Sequence, residues 1–139
     1  MVIYFDGSIC EQSEGPCVMF ITPQGVPIPY SFKLNFPYTN NNAEYEALIL
    51  AIKTIIKLEL IKVKFIGYSL LIINQVKEVF QCKEPLLQKY KRLVNNLLSY
   101  VENYDLEVAP RSTNRFVDAM ASIGYLMLAN PNKKQSPLR

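Results

Sequence analysis

The order of hydrophobic patterns along the chain limits the fold more strongly than any single motif. Short apolar runs that end in turn residues predict strands at 2–9, 16–22, 26–36, 62–68 and 105–109. Helical periodicity and capping residues predict helices at 43–59, 69–80, 85–104 and 114–130. A three-strand meander followed by strand–helix–strand crossovers predicts an α/β fold, with a five-stranded mixed sheet flanked by helices.

The third predicted strand carries two prolines near its start, Pro27 and Pro29. Proline has no amide hydrogen and cannot donate to a neighbouring strand. The third strand is therefore predicted to lie at an edge of the sheet.

The size and composition of the chain indicate one ordered domain. Half of its 139 residues are hydrophobic and 19% are charged, which is enough to bury a core without disulfides or metals. Residues 1–130 are assigned to the domain and 131–139 to a flexible basic tail. Three cysteines without a CxxC spacing are expected to be reduced thiols, and no apolar run is long enough to span a membrane. We expect an intracellular protein, in the nucleus or the cytoplasm.

The chain contains no histidine, and this restricts the available chemistry. Imidazole acid–base catalysis and histidine metal ligation are excluded. Any catalysis has to use carboxylates, lysines, thiols or a bound metal. The net charge of +3 permits nucleic-acid binding but does not indicate it by itself.

Three acidic residues lie at the ends of predicted elements. Asp6 ends the first strand, while Glu44 and Asp118 lie in the first turns of the first and last helices. Each has an ordinary alternative, because Asp6 could cap a turn and the other two could complement a helix dipole. A mixed sheet would bring the three together, and clustered carboxylates are tolerated where a cation such as Mg²⁺ neutralises them. The set therefore indicates a two-metal phosphoryl-transfer site.

Four segments resemble, in order, the four motifs of the ribonuclease H family. They are Tyr-Phe-Asp-Gly-Ser at 4–8, Thr-Asn-Asn-Asn-Ala-Glu-Tyr-Glu-Ala-Leu at 39–48, the segment 67–76, and Pro-Arg followed by Val-Asp-Ala-Met-Ala within 110–121. The second segment resembles the form of this motif that is typical of plant Ty3/gypsy-type retroelement polyproteins. The matches are collinear and cover about residues 2–125, which implies the ribonuclease H-like fold.

The resemblance implies hydrolysis of the RNA strand of RNA–DNA hybrids. In the family, four carboxylates hold two Mg²⁺ or Mn²⁺ ions that activate water and stabilise the leaving oxygen. Carried over by motif, the metal-binding and catalytic residues are Asp6, Glu44 and Asp118. The fourth carboxylate is expected directly after Gly67, where this chain has Tyr68.

Tyr68 at the position of the missing aspartate predicts an inactive or impaired enzyme with a weakened metal site. A phenol is neutral near pH 7 and cannot replace a shared anionic ligand. Rescue by another acid is not expected. Glu46 should point to a different face of its helix from Glu44, and the acids at 11 and 14 lie in a turn. Decay of a retroelement copy and retention of a domesticated binding domain both stay open.

The resemblance also implies residues that bind nucleic acid: Ser8, Thr39, Asn40, Asn41 and Ser69. Contacts to phosphate and to RNA 2′-hydroxyls suit these side chains, although plain helix capping is the alternative at the start of the first helix. Lys89, Lys91 and Arg92 could meet the nucleic-acid backbone, but a solvated helix face is the favoured interpretation.

Three functions therefore compete. The preferred one is a ribonuclease H-like domain that binds an RNA–DNA hybrid or another nucleic acid with cleavage lost or reduced. The second is a domesticated protein-interaction module, suggested by tyrosines at 100, 104 and 125 that fall on predicted helices and could form an exposed patch. The third is an active nuclease with an unusual metal site. No membrane partner is expected.

Overall fold

The computed structural model describes residues 1–7 and 15–109. The strands are β1 (Val2–Asp6), β2 (Cys17–Ile21), β3 (Pro27–Ser31), β4 (Lys62–Gly67) and β5 (Asn103–Val108). The helices are α1 (Asn40–Leu58), α2 (Leu70–Val76) and α3 (Pro85–Leu98). The helix predicted at 114–130 and the tail at 131–139 lie outside the described residues.

The sheet has the strand order β3-β2-β1-β4-β5. The first three strands form an antiparallel meander, and β1 and β5 both pair with β4 in parallel. The predicted five-stranded mixed sheet is confirmed, as is the edge position of the proline-containing β3. The central strand β1 therefore has neighbours on both sides, and its last residue, Asp6, lies in the middle of one end of the sheet.

The main core lies between one face of the sheet and helices α1 and α3. Alternate residues of β1, Ile3 and Phe5, are fully buried in it, together with Phe65 of β4. The other face carries a smaller cluster, defined by its residues Tyr4, Cys17, Met19, Ile21 and Tyr68. We call it the second-face cluster. Since side chains alternate along a strand, Asp6 lies on the same face of β1 as Tyr4.

Helix α1 begins with a reciprocal capping arrangement. The hydroxyl of Thr39 accepts a hydrogen bond from the amide of Asn42 at 3.1 Å, and the side chain of Asn42 accepts one from the amide of Thr39 at 3.1 Å. These bonds satisfy two of the amides that a helix start leaves without partners. The sequence pattern placed the helix start at residue 43, three residues too late, because the run of asparagines carries no apolar periodicity.

Two other boundaries differ from the sequence prediction. Helix α3 ends at Leu98 and not at residue 104, because residues from 103 onward pair with β4 as a strand. Asn95, Asn96 and Ser99 are weak helix formers, so tertiary pairing decides where the helix stops. Strand β3 ends at Ser31, not at residue 36, and α2 ends at Val76, not at residue 80.

Cys17 is disulfide-bonded, whereas Cys82 is a free thiol. The expectation of reduced thiols is therefore wrong for Cys17, because pairing depends on distances in the fold that sequence spacing does not reveal. Among the described helices, none is both long and apolar enough to cross a membrane.

Candidate active site

The site is built around the end of β1. Asp6 is the last residue of the strand, and its Oδ1 atom accepts a hydrogen bond from the amide of Gly7 at 2.7 Å. The chain then passes directly over the start of α1. A Cβ atom added to Gly7 would lie 3.2 Å from Cβ of Ala43 and 3.6 Å from Cγ of Glu44. The absence of a side chain at Gly7 thus lets the ends of β1 and α1 approach, and Asp6 and Glu44 with them.

Glu44 and Asp6 form an interacting pair of carboxyl groups. The pKa of Glu44 is raised to about 7, chiefly by burial and also by the charge of Asp6 and a hydrogen bond with the Asp6 carboxyl. A hydrogen bond with Ser69 acts in the opposite direction, because it favours the ionised form. The Oε2 atom of Glu44 is buried and has no hydrogen-bond partner. Such an arrangement is costly on its own and suits a bound cation.

Ser69 connects the carboxyl pair to the next helix. It is the N-cap of α2, and its hydroxyl accepts a hydrogen bond from the amide of Ile72 at 3.2 Å. The same side chain bonds to Glu44. The sequence singled out Ser69 as a nucleic-acid contact, and that role stays a prediction. Within the protein, Ser69 caps α2 and favours the ionised form of Glu44.

Tyr68 follows the end of β4, the parallel neighbour of β1. Its ring stacks on that of Tyr4, with centroids 6.4 Å apart and planes 21° apart. It packs in the second-face cluster, against Cys17 and Met19, and its hydroxyl is buried. The residue at the position of the expected aspartate is therefore part of an apolar cluster, on the sheet face that Asp6 shares.

Gly67 fixes the path of the chain just before Tyr68. It pairs with Phe5 across β1 and β4, and a Cβ atom placed on it would lie 2.4 Å from Cζ of Phe5. No side chain fits there, because that separation is far inside van der Waals contact. The Phe5 ring thus explains the glycine of the third motif.

The residues at the start of α1 were predicted to bind nucleic acid. Thr39 and Asn40 are exposed and Asn41 is half-buried, so all three are accessible at the helix start. The predicted alternative, helix capping, is confirmed for Thr39. Asn42, at the end of the run expected to supply capping side chains but not predicted as a site residue, is buried, and its Nδ2 atom has no hydrogen-bond partner. Its position three residues after a threonine cap was the available signal.

Glu46 lies away from the carboxyl pair, as the helix geometry predicts. Its Oε1 atom accepts a hydrogen bond from the hydroxyl of Tyr90 at 3.0 Å, on the side of α1 that faces α3. Tyr90 stacks on Tyr45, and the hydroxyl of Tyr45 donates to Oε1 of Gln75 at 2.8 Å. The two residues after Glu44 therefore attach α1 to α2 and α3. No local sequence pattern indicates this network.

The basic residues of α3 are only partly available to a ligand. The Nζ atom of Lys91 lies 3.5 Å from Oε1 of Glu78, whereas Lys89 and Arg92 are exposed. This agrees with the favoured interpretation of a solvated helix face.

The described residues supply two carboxylates that fit a divalent cation, Asp6 and Glu44. Within residues 1–7 and 15–109, there is no group of three or more His, Cys, Asp or Glu side chains that could hold a metal ion. Asp118 and Ser8, which the motifs also assign to the site, lie outside the described residues. Hard carboxylate oxygens of this kind suit Mg²⁺ or Mn²⁺.

The mixed sheet has the strand order β3-β2-β1-β4-β5, with the carboxylate of Asp6 at the end of its central strand and that of Glu44 in the first turns of α1. This combination defines a ribonuclease H-like domain. Solved structures agree. Ribonuclease H1 of Halobacterium salinarum has a TM-score of 0.68 over 91% of this chain and 97% of its own, at 24% identity. LC11-RNase H1, isolated from compost and solved in complex with an RNA/DNA hybrid, has a TM-score of 0.66 at 26% identity. The match covers 86% of this chain and 91% of LC11-RNase H1.

Sequence comparison places the chain in a family. The reverse transcriptase-like family model matches residues 9–124, and the chain belongs to that family. The matched range includes Glu44 and Tyr68, and Asp6 lies just before it. Ribonuclease HI of Halobacterium salinarum is 30% identical over 84 residues, which are 60% of this chain. The match spans 42% of that relative's length.

Proposed function

We propose that this chain is a ribonuclease H-like domain that binds RNA–DNA hybrids and in which hydrolysis of the RNA strand is lost or strongly impaired. The observation that carries the proposal is that one end of the sheet has a carboxyl pair but has a tyrosine where a further carboxylate is expected. Asp6 and Glu44 form a carboxyl pair there, while Tyr68 packs into the second-face cluster where a further carboxylate is expected. The pair supports a descent from a metal-dependent site, and Tyr68 supports its impairment.

The chain's own residues suggest how a weakened site would work. Asp6, Glu44 and Asp118 would hold Mg²⁺ or Mn²⁺, which would supply water activation and neutralise charge on the leaving oxygen. Ser69 favours the ionised form of Glu44, because its hydroxyl bonds to that carboxyl. Tyr68 contributes no negative charge, so a cation would be held less firmly than by four carboxylates.

Hybrid binding depends on groups that Tyr68 does not alter. The start of α1 offers exposed side chains at Thr39 and Asn40, the half-buried Asn41, and the positive end of a helix of 19 residues. Ser8 and Ser69 are the proposed contacts to RNA 2′-hydroxyls. The likeness to a structure solved with an RNA/DNA hybrid supports this choice of ligand.

The second motif supports a further proposal, that the domain derives from a plant Ty3/gypsy-type retroelement polyprotein. We also propose that it acts inside the cell, in the nucleus or the cytoplasm, where hybrids form. Residues 1–130 would form the functional unit, with 131–139 as a basic tail.

The test compares three forms of the chain with a labelled RNA–DNA hybrid in Mg²⁺ or Mn²⁺: the unchanged chain, Tyr68→Asp, and Tyr68→Asn as a control of matched size without charge. We expect all three to bind the hybrid and only Tyr68→Asp to cleave it, at a rate about a hundredfold or more above the others. Rapid cleavage by the unchanged chain would show that Tyr68 is not a lesion.

The alternative is a domesticated protein-interaction module, and one observation favours it. Tyr100 and Tyr104 are exposed, at 70% and 43% of their surface, as large aromatic side chains at binding surfaces often are. Neither lies on a helix as predicted, because Tyr100 follows the end of α3 and Tyr104 lies in β5. Tyr125 lies outside the described residues. A chain that binds neither hybrid nor single strands in the same assay would support the module instead.

A further inference from the structure

The two edges of the sheet differ in their capacity to accept another strand. At the β3 edge, the amide of Phe32 donates to the carbonyl of Pro16 at 3.2 Å, which continues the pairing of β3 with β2. Along an edge strand, the backbone amides and carbonyls of successive residues alternate between pointing inward, to the neighbouring strand, and outward, away from the sheet. The even-numbered residues of β3 bond inward to β2, so Pro27 and Pro29 occupy outward positions. These prolines have no amide hydrogen to offer, so the β3 edge is protected against strand addition.

The opposite edge strand, β5, contains no proline. The amide of Asn103 donates to the carbonyl of Ile61 at 3.0 Å, and that of Ala109 donates to the carbonyl of Gly67 at 2.7 Å. Odd-numbered residues therefore bond inward to β4, and the backbone groups of Tyr104, Leu106 and Val108 point outward. Within the described residues no strand pairs with this side of β5. Three consecutive outward positions thus offer both an amide and a carbonyl.

The side chains along β5 specify what would fit beside it. A groove of about 450 Å³ runs along β5 and is lined by Tyr104, Asp105, Leu106 and Glu107, together with Val76 at the end of α2. Asp105 and Glu107 alternate with Tyr104 and Leu106 along the strand and are exposed. Glu107 lies 3.3 Å from Lys64, a surface pair of little strength, and Asp105 forms no ion pair within the described residues. Lys77 lies in the wall of the groove, and Lys62 and Lys64 lie on the neighbouring strand β4.

We propose that the β5 edge is a docking site for an extended segment of a partner protein in which basic and apolar residues alternate. Its backbone would bond to the outward groups of Tyr104, Leu106 and Val108 as a sixth strand. Its apolar side chains would lie on the face of the sheet that carries Tyr104 and Leu106, and its basic side chains on the face that carries Asp105 and Glu107. A second copy of this chain fits less well, because its own β5 would bring the same acidic residues together. This inference is independent of hybrid binding.

The test uses a fluorescent peptide of sequence Lys-Val-Arg-Val-Lys-Val-Arg and its acidic counterpart Glu-Val-Asp-Val-Glu-Val-Asp, titrated with the full chain. The basic peptide is expected to bind and the acidic one to bind at least about tenfold more weakly. Val108→Pro removes an outward amide hydrogen without breaking the hydrogen bonds to β4. It should weaken the binding of the basic peptide by about tenfold or more. Val108→Thr keeps the amide and should bind as the unchanged chain does.

Asp105→Lys tests the charge requirement. It should weaken the binding of the basic peptide and strengthen the binding of the acidic one. Urea unfolding checks that each variant is folded. Equal binding of the basic peptide by the unchanged chain and Val108→Pro would overturn the proposal, as would no binding at all. Dimerisation of the unchanged chain that Val108→Pro abolishes, measured by light scattering, would also overturn it, because a second copy would then occupy the edge.

Discussion

The rings of Tyr4 and Tyr68 stack with their centroids 6.4 Å apart, which joins the end of β4 to the central strand on the second face of the sheet. We predict that Tyr68→Ala lowers the free energy of unfolding by about 1–3 kcal/mol, because it removes an aromatic contact from a partly buried cluster. Urea unfolding measures the loss. Tyr100→Ala is the control, since Tyr100 is largely exposed and its removal should cost little. Equal losses in both variants would show that the stacked pair contributes nothing specific.

The carboxyl pair predicts a dependence of stability on pH. The pKa of Glu44 is raised from 4.5 to about 7 in the folded chain, so the folded state binds more protons than the unfolded state between these values. Stability should therefore fall as pH rises from about 4.5 to 7, by about 1 kcal/mol because the carboxyl keeps partial access to solvent. Glu44→Gln should remove this fall in urea unfolding. An unchanged slope in Glu44→Gln would assign the pH dependence to other groups.

The same pair predicts a response to divalent cations. Mg²⁺ or Mn²⁺ at millimolar concentration should raise the melting temperature by a few degrees at pH 8, because a cation relieves the repulsion between Asp6 and Glu44. Asp6→Asn should lose this response. Thermal melts with and without EDTA measure it, with Ca²⁺ as a comparison of the same charge. A response that persists in Asp6→Asn would place the cation elsewhere.

The buried bond between Tyr45 and Gln75 predicts a measurable loss when one partner is removed. Tyr45→Phe leaves Oε1 of Gln75 buried without its donor and should cost about 1–3 kcal/mol in urea unfolding. The double variant Tyr45→Phe with Gln75→Leu should recover part of that cost, because both polar groups are then gone. Tyr90→Phe is the comparison, at about 1 kcal/mol, since its bond to Glu46 is only partly buried. No recovery in the double variant would contradict this account.

Two glycines should respond differently to alanine. Gly67→Ala places a methyl group 2.4 Å from the ring of Phe5 and should destabilise the chain by about 1–3 kcal/mol through overpacking. Gly25→Ala meets no atom within 4 Å, but its φ of +84° should cost about 1–2 kcal/mol. Adding Phe5→Leu should reduce the destabilisation caused by Gly67→Ala but not that caused by Gly25→Ala. Unfolding curves for the single and double variants separate crowding from backbone strain.

The element order of the described residues followed from the sequence because each element carries a strong local pattern. The β3 edge followed from Pro27 and Pro29, and the cap of α1 from Thr39. The pairing of Asp6 with Glu44 followed from motif resemblance together with the topology, since no local pattern brings residues so far apart in the chain into contact.

Other features had no local signal. The contact of Tyr68 with Tyr4 depends on the parallel register of β1 and β4, which sequence periodicity does not specify. The end of α3 depends on the pairing of β5 with β4, and this long-range pairing outweighs helical propensity beyond Leu98. The disulfide at Cys17 likewise depends on three-dimensional proximity.

The register of the two central strands has a consequence for synthesis on the ribosome. Phe5 pairs with Gly67, so β1 obtains its second neighbour only after about sixty further residues have been made. Until β4 emerges, the nascent meander of β1, β2 and β3 carries an unpaired apolar strand along the side opposite its two prolines. The nascent chain is therefore exposed to misassociation between the synthesis of β1 and that of β4, and chaperone protection of this strand would matter in that interval.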